Sequence, residues 1–395
     1  MSVERTSVPL DEIDPFAETL QSIYVPKVVA ADPRGACGGV NAANKRLNEI
    51  FNRMAELKAA GEMDEEEVLY IFNPPVHNES VLRRFQERGL LLITGIDKNI
   101  WLWDLVPDGK PVAFPAHGAK PQDWETALAK GCIIFDLSCK LVDNEHRLIR
   151  QAIEESRHAM YFAKKDHPEP RGVMGEVPSE SITFIYTEED IYQAFETLPS
   201  DQIVEFFNQT TMSTKEIAKY KKIAKELFGD RIFMNLRRLG CYATDNRQEA
   251  FETAINEAIQ EALSKGRDSK AVVAITVGST ISNNGTNLKK IGTELGVQSI
   301  MVNDASEIDS EMFSSNSGVE IVVISSAAST DIREFNGVVN RFAAGGSEII
   351  YQVPTKKENP DLTFKLERAD VSQLDDRYKG RSNSQTAEKV IGYNT

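Results

Sequence analysis

Short apolar segments typical of buried β-strands alternate with longer stretches of helical periodicity along the chain. Three of these strand segments, at residues 28–30, 133–135 and 232–234, shortly precede Cys37, Cys139 and Cys241. After each cysteine, apolar residues recur three or four positions apart, which predicts a helix. Each cysteine is therefore expected at the turn from a strand to a helix.

The three cysteines are evenly spaced: 102 residues separate Cys37 from Cys139, and 102 separate Cys139 from Cys241. Strands that alternate with helices predict an α/β fold with parallel strands, in which ligands bind at the carboxyl edge of the sheet. Three such repeats predict three similar α/β domains with mostly parallel sheets, each offering one thiol. A helix N-terminus stabilises negative charge and lowers the pKa of a thiol, which suits thiolates that bind metal.

The predicted division of the chain follows the cysteines. Its parts are an N-terminal extension (1–25), three α/β domains (26–138, 139–240 and 241–354) and a C-terminal tail (355–395). Cys132 lacks the placement of the other three cysteines, so we expect a buried core thiol there.

Polar side chains follow six further strand segments, at the predicted starts of helices. They are His77 and Asn78, His117, His167 and Glu169, Gln209 to Thr211, Ser282 to Asn284, and Ser329. Ser, Thr and Asn are favoured helix caps whatever the function, so each of them alone is weak support for a site. Together, these hydroxyls, amides and imidazoles could bind phosphate oxygens. The two other histidines, His146 and His158, are predicted to be surface or packing residues in or near the helix after Cys139.

Composition, charge and missing motifs argue against several classes of protein. A net charge of −15 argues against nonspecific binding to nucleic acid or to an anionic membrane. No apolar run is long enough for a membrane helix, and the acidic first twenty residues lack the features of a signal or transit peptide, so a cytoplasmic location is expected. Four cysteines in 395 residues do not indicate a disulfide framework. The chain contains no GxxxxGK[ST], GxGxxG, HExxH or paired CxxC motif.

Eight motifs resemble, in order, those of the 4-hydroxy-3-methylbut-2-enyl diphosphate reductases, the LytB/IspH family. They are PRGACGGV from residue 33, PPVHNESV around His77, PAHGAKP around His117, DLSCKLV around Cys139, HPEPRGVMGE from His167, NQTTMS around Thr210, CYATDNRQEA from Cys241, and SNN at 282–284. A single motif would be weak support, but eight in order are typical of the family. The resemblance extends over residues 27–354.

The resemblance implies three α/β domains around a central 4Fe–4S cluster. In that family three thiolates, here Cys37, Cys139 and Cys241, bind the cluster and leave one iron open for the substrate's allylic hydroxyl. The implied reaction is the reductive dehydroxylation of 4-hydroxy-3-methylbut-2-enyl diphosphate to isopentenyl and dimethylallyl diphosphate in the non-mevalonate isoprenoid pathway. A small ferredoxin or flavodoxin is the implied electron donor.

The resemblance also assigns roles to the polar residues. Glu169 would donate a proton, with a pKa raised by the neighbouring cluster and diphosphate. His167 would orient groups or relay protons, and Thr210 would lie near the substrate hydroxyl. The full set implied to bind substrate is His77, His117, His167, Thr210, Ser282, Asn283, Asn284 and Ser329.

Several positions depart from the family's pattern. Ala36 and Gly38 flank the first cysteine, Lys140 replaces the usual proline after the second, Leu239-Gly240 precedes the third, and Asn283 replaces a serine. Two alternatives therefore stay open. One is a diverged paralogue that reduces another hydroxylated phosphate. The other is a non-catalytic iron–sulfur redox sensor or electron carrier, for which Cys132 would be the only spare thiol.

Overall fold

The computed structural model describes residues 20–93, 102–165, 167–234, 241–352 and 370–379. Most of the predicted N-terminal extension and C-terminal tail, and the Leu239-Gly240 departure, lie outside these residues. In the part that is described, no helix is both long and apolar enough to cross a membrane.

The strands and helices alternate along most of the described chain. The strands are β1 (Lys27–Ala30), β2 (Leu69–Ile71), β3 (Leu90–Leu92), β4 (Pro111–Phe114), β5 (Ile133–Asp136), β6 (His158–Phe162), β7 (Ile182–Ile185), β8 (Val204–Asn208), β9 (Ile232–Phe233), β10 (Val272–Val277), β11 (Gln298–Val302), β12 (Ile321–Ser326) and β13 (Glu348–Tyr351). The helices are α1 (Gly38–Ala59), α2 (Glu79–Gln86), α3 (Pro121–Ala129), α4 (Lys140–Glu154), α5 (Pro168–Val173), α6 (Glu188–Thr197), α7 (Thr214–Phe228), α8 (Tyr242–Ser264), α9 (Asn283–Glu294), α10 (Ile332–Ala344) and α11 (Ser372–Tyr378).

These strands form three sheets, in which every strand pair of the described residues is parallel. The strand orders are β11-β10-β12-β1-β13, β3-β2-β4-β5 and β7-β6-β8-β9. The prediction of an α/β protein with mostly parallel sheets is therefore confirmed.

Helices cover both faces of the largest sheet, as parallel sheets require. Successive residues of β10 point to opposite faces: Val273 and Ile275 pack in the core under α10, whereas Val272 and Ala274 pack in the core under α8 and α9. All residues of β10 and β12 are buried. Both faces of these strands are therefore occupied by core, and only their carboxyl ends remain available for a site.

The first strand belongs to a different sheet from the one predicted. The expected first domain, 26–138, included the strand segment 28–30, but Val28 of β1 pairs with Val322 of β12 and with Ile349 of β13. β1 therefore completes the sheet of the C-terminal segment. The hydrophobic pattern of a strand identifies its buried faces but not its partner, so this long-range pairing was not accessible from the sequence. The other domain boundaries stay a prediction.

Candidate functional site

Each of the three evenly spaced cysteines lies immediately before a helix, as predicted. Cys37, Cys139 and Cys241 are the N-cap residues of α1, α4 and α8, and none of their side chains caps its helix. Asx or Ser/Thr side chains usually perform this capping. With cysteine at all three N-caps, no N-cap side chain occupies the N–H groups at these helix starts, so a bound group could interact with them.

The same hydrogen bond holds each cysteine in place. The backbone N–H of Cys37 donates to the Ala328 carbonyl over 2.8 Å, and that of Cys139 donates to the Ala116 carbonyl over 2.8 Å. The N–H of Cys241 donates to the Thr210 carbonyl over 2.7 Å.

In each case the acceptor follows a strand that is the sheet neighbour of the strand before the cysteine: β12 beside β1, β4 beside β5, and β8 beside β9. The three sheets thus present their cysteines by one repeated construction.

All three cysteines line one cavity of about 110 Å³, together with every polar residue that the sequence analysis assigned to the site. These polar residues are His77, His117, His167, Glu169, Thr210, Ser282, Asn283, Asn284 and Ser329. They come from loops at the carboxyl ends of strands in all three sheets. The structure therefore brings together every residue to which the resemblance assigned a role, whereas Asn78 and Gln209, two further polar residues after strands, do not line the cavity.

The thiol pKa values differ from the sequence expectation. Burial raises the pKa of the Cys241 thiol to about 12, and the nearby Cys37 adds to the rise. Burial likewise raises the pKa of Cys139 well above its usual range, with further contributions from Cys37 and Cys241. The backbone N–H groups at the helix starts oppose these shifts but are outweighed. Desolvation and mutual repulsion of three thiolates dominate over the helix dipole.

Arg247, which is 1% exposed, ties two of the cysteine segments together. Its Nη2 donates to the Gly35 carbonyl over 2.8 Å, and its Nη1 donates to the Ala243 carbonyl over 3.0 Å. Its charge also lowers the pKa of Cys241. A buried guanidinium close to Cys241 favours negative charge on that thiol.

Three imidazoles meet at the cavity. The ring centroids of His77 and His117 lie 5.1 Å apart, and those of His77 and His167 lie 5.0 Å apart. Burial lowers the pKa of all three imidazoles, and that of His167 falls to about 3. His77 lowers the pKa values of His117 and His167 further. Because His167 Nδ1 accepts the Glu169 N–H over 3.2 Å, its proton is assigned to Nε2.

Several buried nitrogens at the cavity have no hydrogen-bond partner within the described part of the chain. They are His117 Nε2, His167 Nε2, Asn283 Nδ2 and Asn284 Nδ2. Buried polar groups are nearly always paired, so a cluster of orphaned nitrogens indicates a place for an acceptor ligand. A phosphate group, with several anionic oxygens, matches this set of nitrogens.

Neighbouring hydrogen bonds fix the orientation of these groups. Asn284 Oδ1 accepts the Ala328 N–H over 2.8 Å, which turns Nδ2 away from that backbone. Ser282 caps α9 by accepting the Gly285 N–H over 3.3 Å. Ser329 Oγ donates to the His77 carbonyl over 2.8 Å. The capping role expected of such residues is thus present at Ser282 together with its place in the cavity.

Glu169 is 1% exposed and begins α5 after His167. The Thr210 N–H donates to Glu169 Oε1 over 2.6 Å, and the Thr210 hydroxyl donates to Oε2 over 3.1 Å. Burial raises the pKa of Glu169 to about 7, although both Thr210 bonds act in the opposite direction. The raised pKa therefore arises from this chain's own packing, whereas the sequence expectation attributed it to cluster and diphosphate.

Two residues of the site were missed from the sequence. Thr244 is 1% exposed, lines the cavity, and its Oγ1 has no hydrogen-bond partner among the described residues. Glu145, on the buried face of α4, contacts Glu169. Helical spacing could have identified both, because Thr244 is three positions after Cys241 and Glu145 is three after the buried Val142.

The remaining histidines and Cys132 lie away from the cavity lining. His146 is on α4 as predicted, with Nδ1 2.8 Å from Glu176 Oε1. His158 is not helical but starts β6, where Nε2 lies 2.8 Å from Thr183 Oγ1. Cys132 was expected to be buried, but it is only half-buried at the edge of the core around Trp103. It precedes β5 rather than following it, which explains its distance from the carboxyl edge.

The fold and the site together define a parallel α/β protein in which three cysteines and a set of hydroxyl, amide, imidazole and carboxyl side chains share one cavity. The model of the family described as LytB protein matches residues 28–343. The chain belongs to this family, which confirms the resemblance found in its motifs.

Curated relatives cover most of the chain. A 4-hydroxy-3-methylbut-2-enyl diphosphate reductase of Burkholderia pseudomallei (strain 1026b) is 31% identical over 301 residues, which are 76% of this chain and 85% of that protein. One of Anoxybacillus flavithermus (strain DSM 21510 / WK1) is 30% identical over 328 residues, 82% of this chain and 93% of the relative.

A solved structure shares the fold. The E-1-hydroxy-2-methyl-but-2-enyl-4-diphosphate reductase of Plasmodium falciparum aligns with a TM-score of 0.72 at 22% identity, covering 91% of this chain and all of the other.

Proposed function

We propose that this protein is an iron–sulfur reductase that converts 4-hydroxy-3-methylbut-2-enyl diphosphate to isopentenyl and dimethylallyl diphosphate in the non-mevalonate isoprenoid pathway. The observation that carries the proposal is the single cavity lined by Cys37, Cys139 and Cys241 together with the polar set listed above. The names of the curated relatives support the same activity.

The donor set fits a 4Fe–4S cluster bound by three thiolates with one open iron. Iron–sulfur clusters are held by cysteine thiolates, and a metal removes the cost of ionising them. Three helix N-termini and Arg247 supply the positive environment that such an anionic group needs. In the described ranges, no group of three His, Cys, Asp or Glu side chains could hold a single metal ion. The assignment of a cluster is therefore based on the shared cavity and on the chemistry of the three thiols. Bound there, the cluster would supply electrons to the substrate and a Lewis-acidic iron.

The diphosphate end of the substrate would be held by the orphaned nitrogens. His117 Nε2 and His167 Nε2, with the side-chain amides of Asn283 and Asn284, can donate to phosphate oxygens. Neutral imidazoles are suitable for this task because each still carries one N–H. A bound dianion would raise their pKa values, which favours proton uptake on binding.

Glu169 is assigned as the proton donor. With a pKa of about 7, its carboxyl is protonated in a useful fraction of molecules near neutral pH. After the proton leaves, the Thr210 N–H and hydroxyl stabilise the carboxylate that remains. Thr210 would also lie near the substrate hydroxyl.

The experiment that tests this proposal is anaerobic purification with iron and sulfide analysis, followed by an assay with 4-hydroxy-3-methylbut-2-enyl diphosphate and a strong artificial reductant. We expect about four irons per chain and formation of both products. A cluster without turnover would favour the electron carrier or the diverged paralogue. Colourless protein without iron, prepared anaerobically, would contradict the reductase, the diverged paralogue and the electron carrier alike. A ferredoxin or flavodoxin as the physiological donor and a cytoplasmic location stay predictions.

A diverged paralogue is kept as a second candidate because of Asn283. Its Nδ2 is buried at the cavity, and the side chain is longer than the serine that the family usually carries. Another phosphate substrate with its acceptor placed differently would match this change.

A further inference from the structure

A second buried carboxyl lies against the proposed proton donor. Glu145 of α4 and Glu169 of α5 are each 1% exposed. Neither oxygen of Glu145 has a hydrogen-bond partner of ordinary geometry among the residues that the structure describes. The groups that act on its carboxyl are the Glu169 side chain and the backbone N–H of Asn208. Buried carboxylates normally require a compensating charge, and the group that could supply it to Glu169 is His146.

Two carboxylates in contact cannot both be ionised in a buried site, so at least one holds a proton. Burial and the neighbouring Glu169 raise the pKa of Glu145 well above its usual range. The contact with Glu145 instead lowers the pKa of Glu169. Glu145 is thus the member of the pair that keeps its proton, close to the carboxyl of Glu169.

The surroundings of the pair offer one connection to solvent. His146 follows Glu145 on α4 and is close enough to lower the pKa of Glu169. The same histidine lines a polar cavity of about 350 Å³ and contacts Glu176 there. Arg150, which is 46% exposed at its side chain, binds the other oxygen of Glu176. Tyr161, on β6, is a further titratable group that faces the two carboxyls.

We propose that Glu145 is a proton reservoir for Glu169, refilled from solvent through His146 and the polar cavity that contains Glu176. This rests on the proposed function, whose reaction consumes two protons for each substrate. After Glu169 gives its proton to substrate, the Glu145 carboxyl transfers one proton to the Glu169 carboxylate. A proton that enters from solvent by way of His146 then returns to the pair of carboxyls. Glu145 acts through Glu169, so it is a positioning residue that does not touch substrate.

The test compares Glu145→Gln with Glu145→Leu in anaerobically isolated, cluster-containing protein. Gln keeps a donor to Glu169 but holds no transferable proton. We expect multiple-turnover rates to fall at least ~10-fold, while the pH above which the rate declines stays at the wild-type position. Leu removes the donor as well, so the pKa of Glu169 rises and this decline moves to higher pH. A hydrogen-bond donor that transfers no proton would give the same difference between the two pH profiles but would leave the Gln variant at wild-type rate, so the rate loss in Glu145→Gln distinguishes the reservoir from a structural role. Equal pH profiles, or a Gln variant at wild-type rate, would overturn the proposal.

A second measurement does not depend on turnover. Infrared difference spectra between neutral and alkaline pH report the C=O stretch of buried carboxylic acids. Glu169 and Glu334, each with a pKa of about 7, also contribute carboxylic-acid bands at neutral pH. Wild type should show, in addition to these, a carboxylic-acid band that is lost in Glu145→Gln and kept in the matched variant Glu334→Gln. Glu334 is also buried, with a pKa raised to about 7, but it does not line the site. An unchanged band in Glu145→Gln would refute the reservoir. Failure of wild type to reduce the substrate would refute the proposed function while leaving this infrared result to decide whether Glu145 is protonated.

Discussion

Thr210 joins the proposed proton donor to the third cysteine. Its N–H and hydroxyl bind the two oxygens of Glu169, over 2.6 Å and 3.1 Å, and its carbonyl accepts the Cys241 N–H over 2.7 Å. The carboxyl of Glu169 therefore has a defined position relative to the cysteine-bearing end of α8. A group bound to the Cys241 sulfur would therefore have a defined position relative to the Glu169 carboxyl.

Serine substitution separates the three evenly spaced cysteines from the fourth. Cys37→Ser, Cys139→Ser and Cys241→Ser should each lose most of the iron, because a serine hydroxyl is a poor thiolate substitute. Iron and sulfide analysis after anaerobic purification measures this. Cys132→Ser is the control and should keep its cluster, since Cys132 does not line the cavity. Iron loss in Cys132→Ser equal to that in the other three variants would favour a fully cysteine-bound electron carrier.

Replacing a cavity imidazole should weaken substrate binding without changing cluster content. His77→Phe and His117→Phe each remove a donor but keep a ring of similar size, so binding should weaken by about 1–3 kcal/mol, or roughly 5- to 150-fold. Titration with substrate under non-turnover conditions gives the affinity.

His158→Phe is the matched control for these variants. His158 is buried to a similar extent as His117, 7% against 8%, but it pairs with Thr183 in β7. It should bind substrate normally in whatever fraction folds. Normal affinity in both His77→Phe and His117→Phe would make these two residues packing groups.

Glu169→Gln tests proton donation. The amide keeps the size of the side chain but supplies no proton, so single-turnover rates with a strong reductant should fall by at least ~100-fold while cluster and substrate binding persist. In wild type the active form is protonated, and a pKa of about 7 means that activity declines as pH rises through about 7. The variant should lose this decline.

Glu334→Gln again provides the comparison. Glu334 is 4% exposed, accepts a hydrogen bond from Asn78 Nδ2 over 2.8 Å and does not line the cavity. Its rate and pH profile should stay close to wild type. A Glu169→Gln protein that turns over as fast as Glu334→Gln would remove Glu169 from the chemistry.

Asn283→Ser distinguishes the family's own substrate from that of a diverged paralogue. Serine also donates a hydrogen bond, so with 4-hydroxy-3-methylbut-2-enyl diphosphate the ratio kcat/KM should change by less than about 10-fold. Steady-state kinetics with reductant in excess provides the ratio. A gain well beyond this in the serine variant would indicate that Asn283 is adapted to another phosphate substrate.

The free energy of unfolding, like the catalytic rate, should decrease as pH rises. The pKa of Glu169 is higher in the folded chain than its ordinary value of 4.5, so the folded state binds more protons between that value and about 7. The free energy of unfolding should therefore decrease as pH rises through this window. Glu169→Gln should flatten the dependence, which chemical denaturation at several pH values would measure. An unchanged slope would contradict the buried, proton-holding state of Glu169.

The local pattern of the sequence determined the elements and the edge of the sheets at which chemistry-bearing residues lie. The strands before Cys37 and Cys139 and the helices after them form where the periodicity placed them, because burial of an apolar face is encoded locally. Parallel strands separated by helices then require their carboxyl ends to share an edge. Within each sheet, that constraint is enough to predict that the cysteine and the polar loops lie at one edge, whereas the packing of the three sheets decides that the three edges meet at one cavity.

Only the tertiary structure decided what each side chain meets. The pairing of β1 with β12 and β13 depends on contacts about 300 residues apart, for which a strand's own pattern carries no signal. The pKa of Glu169 likewise depends on its burial beside Thr210 and Glu145, and these come from different segments of the chain. Desolvation is a property of the packed neighbours, so the residue type alone predicted an acid, whereas the packing set the pH at which it can act.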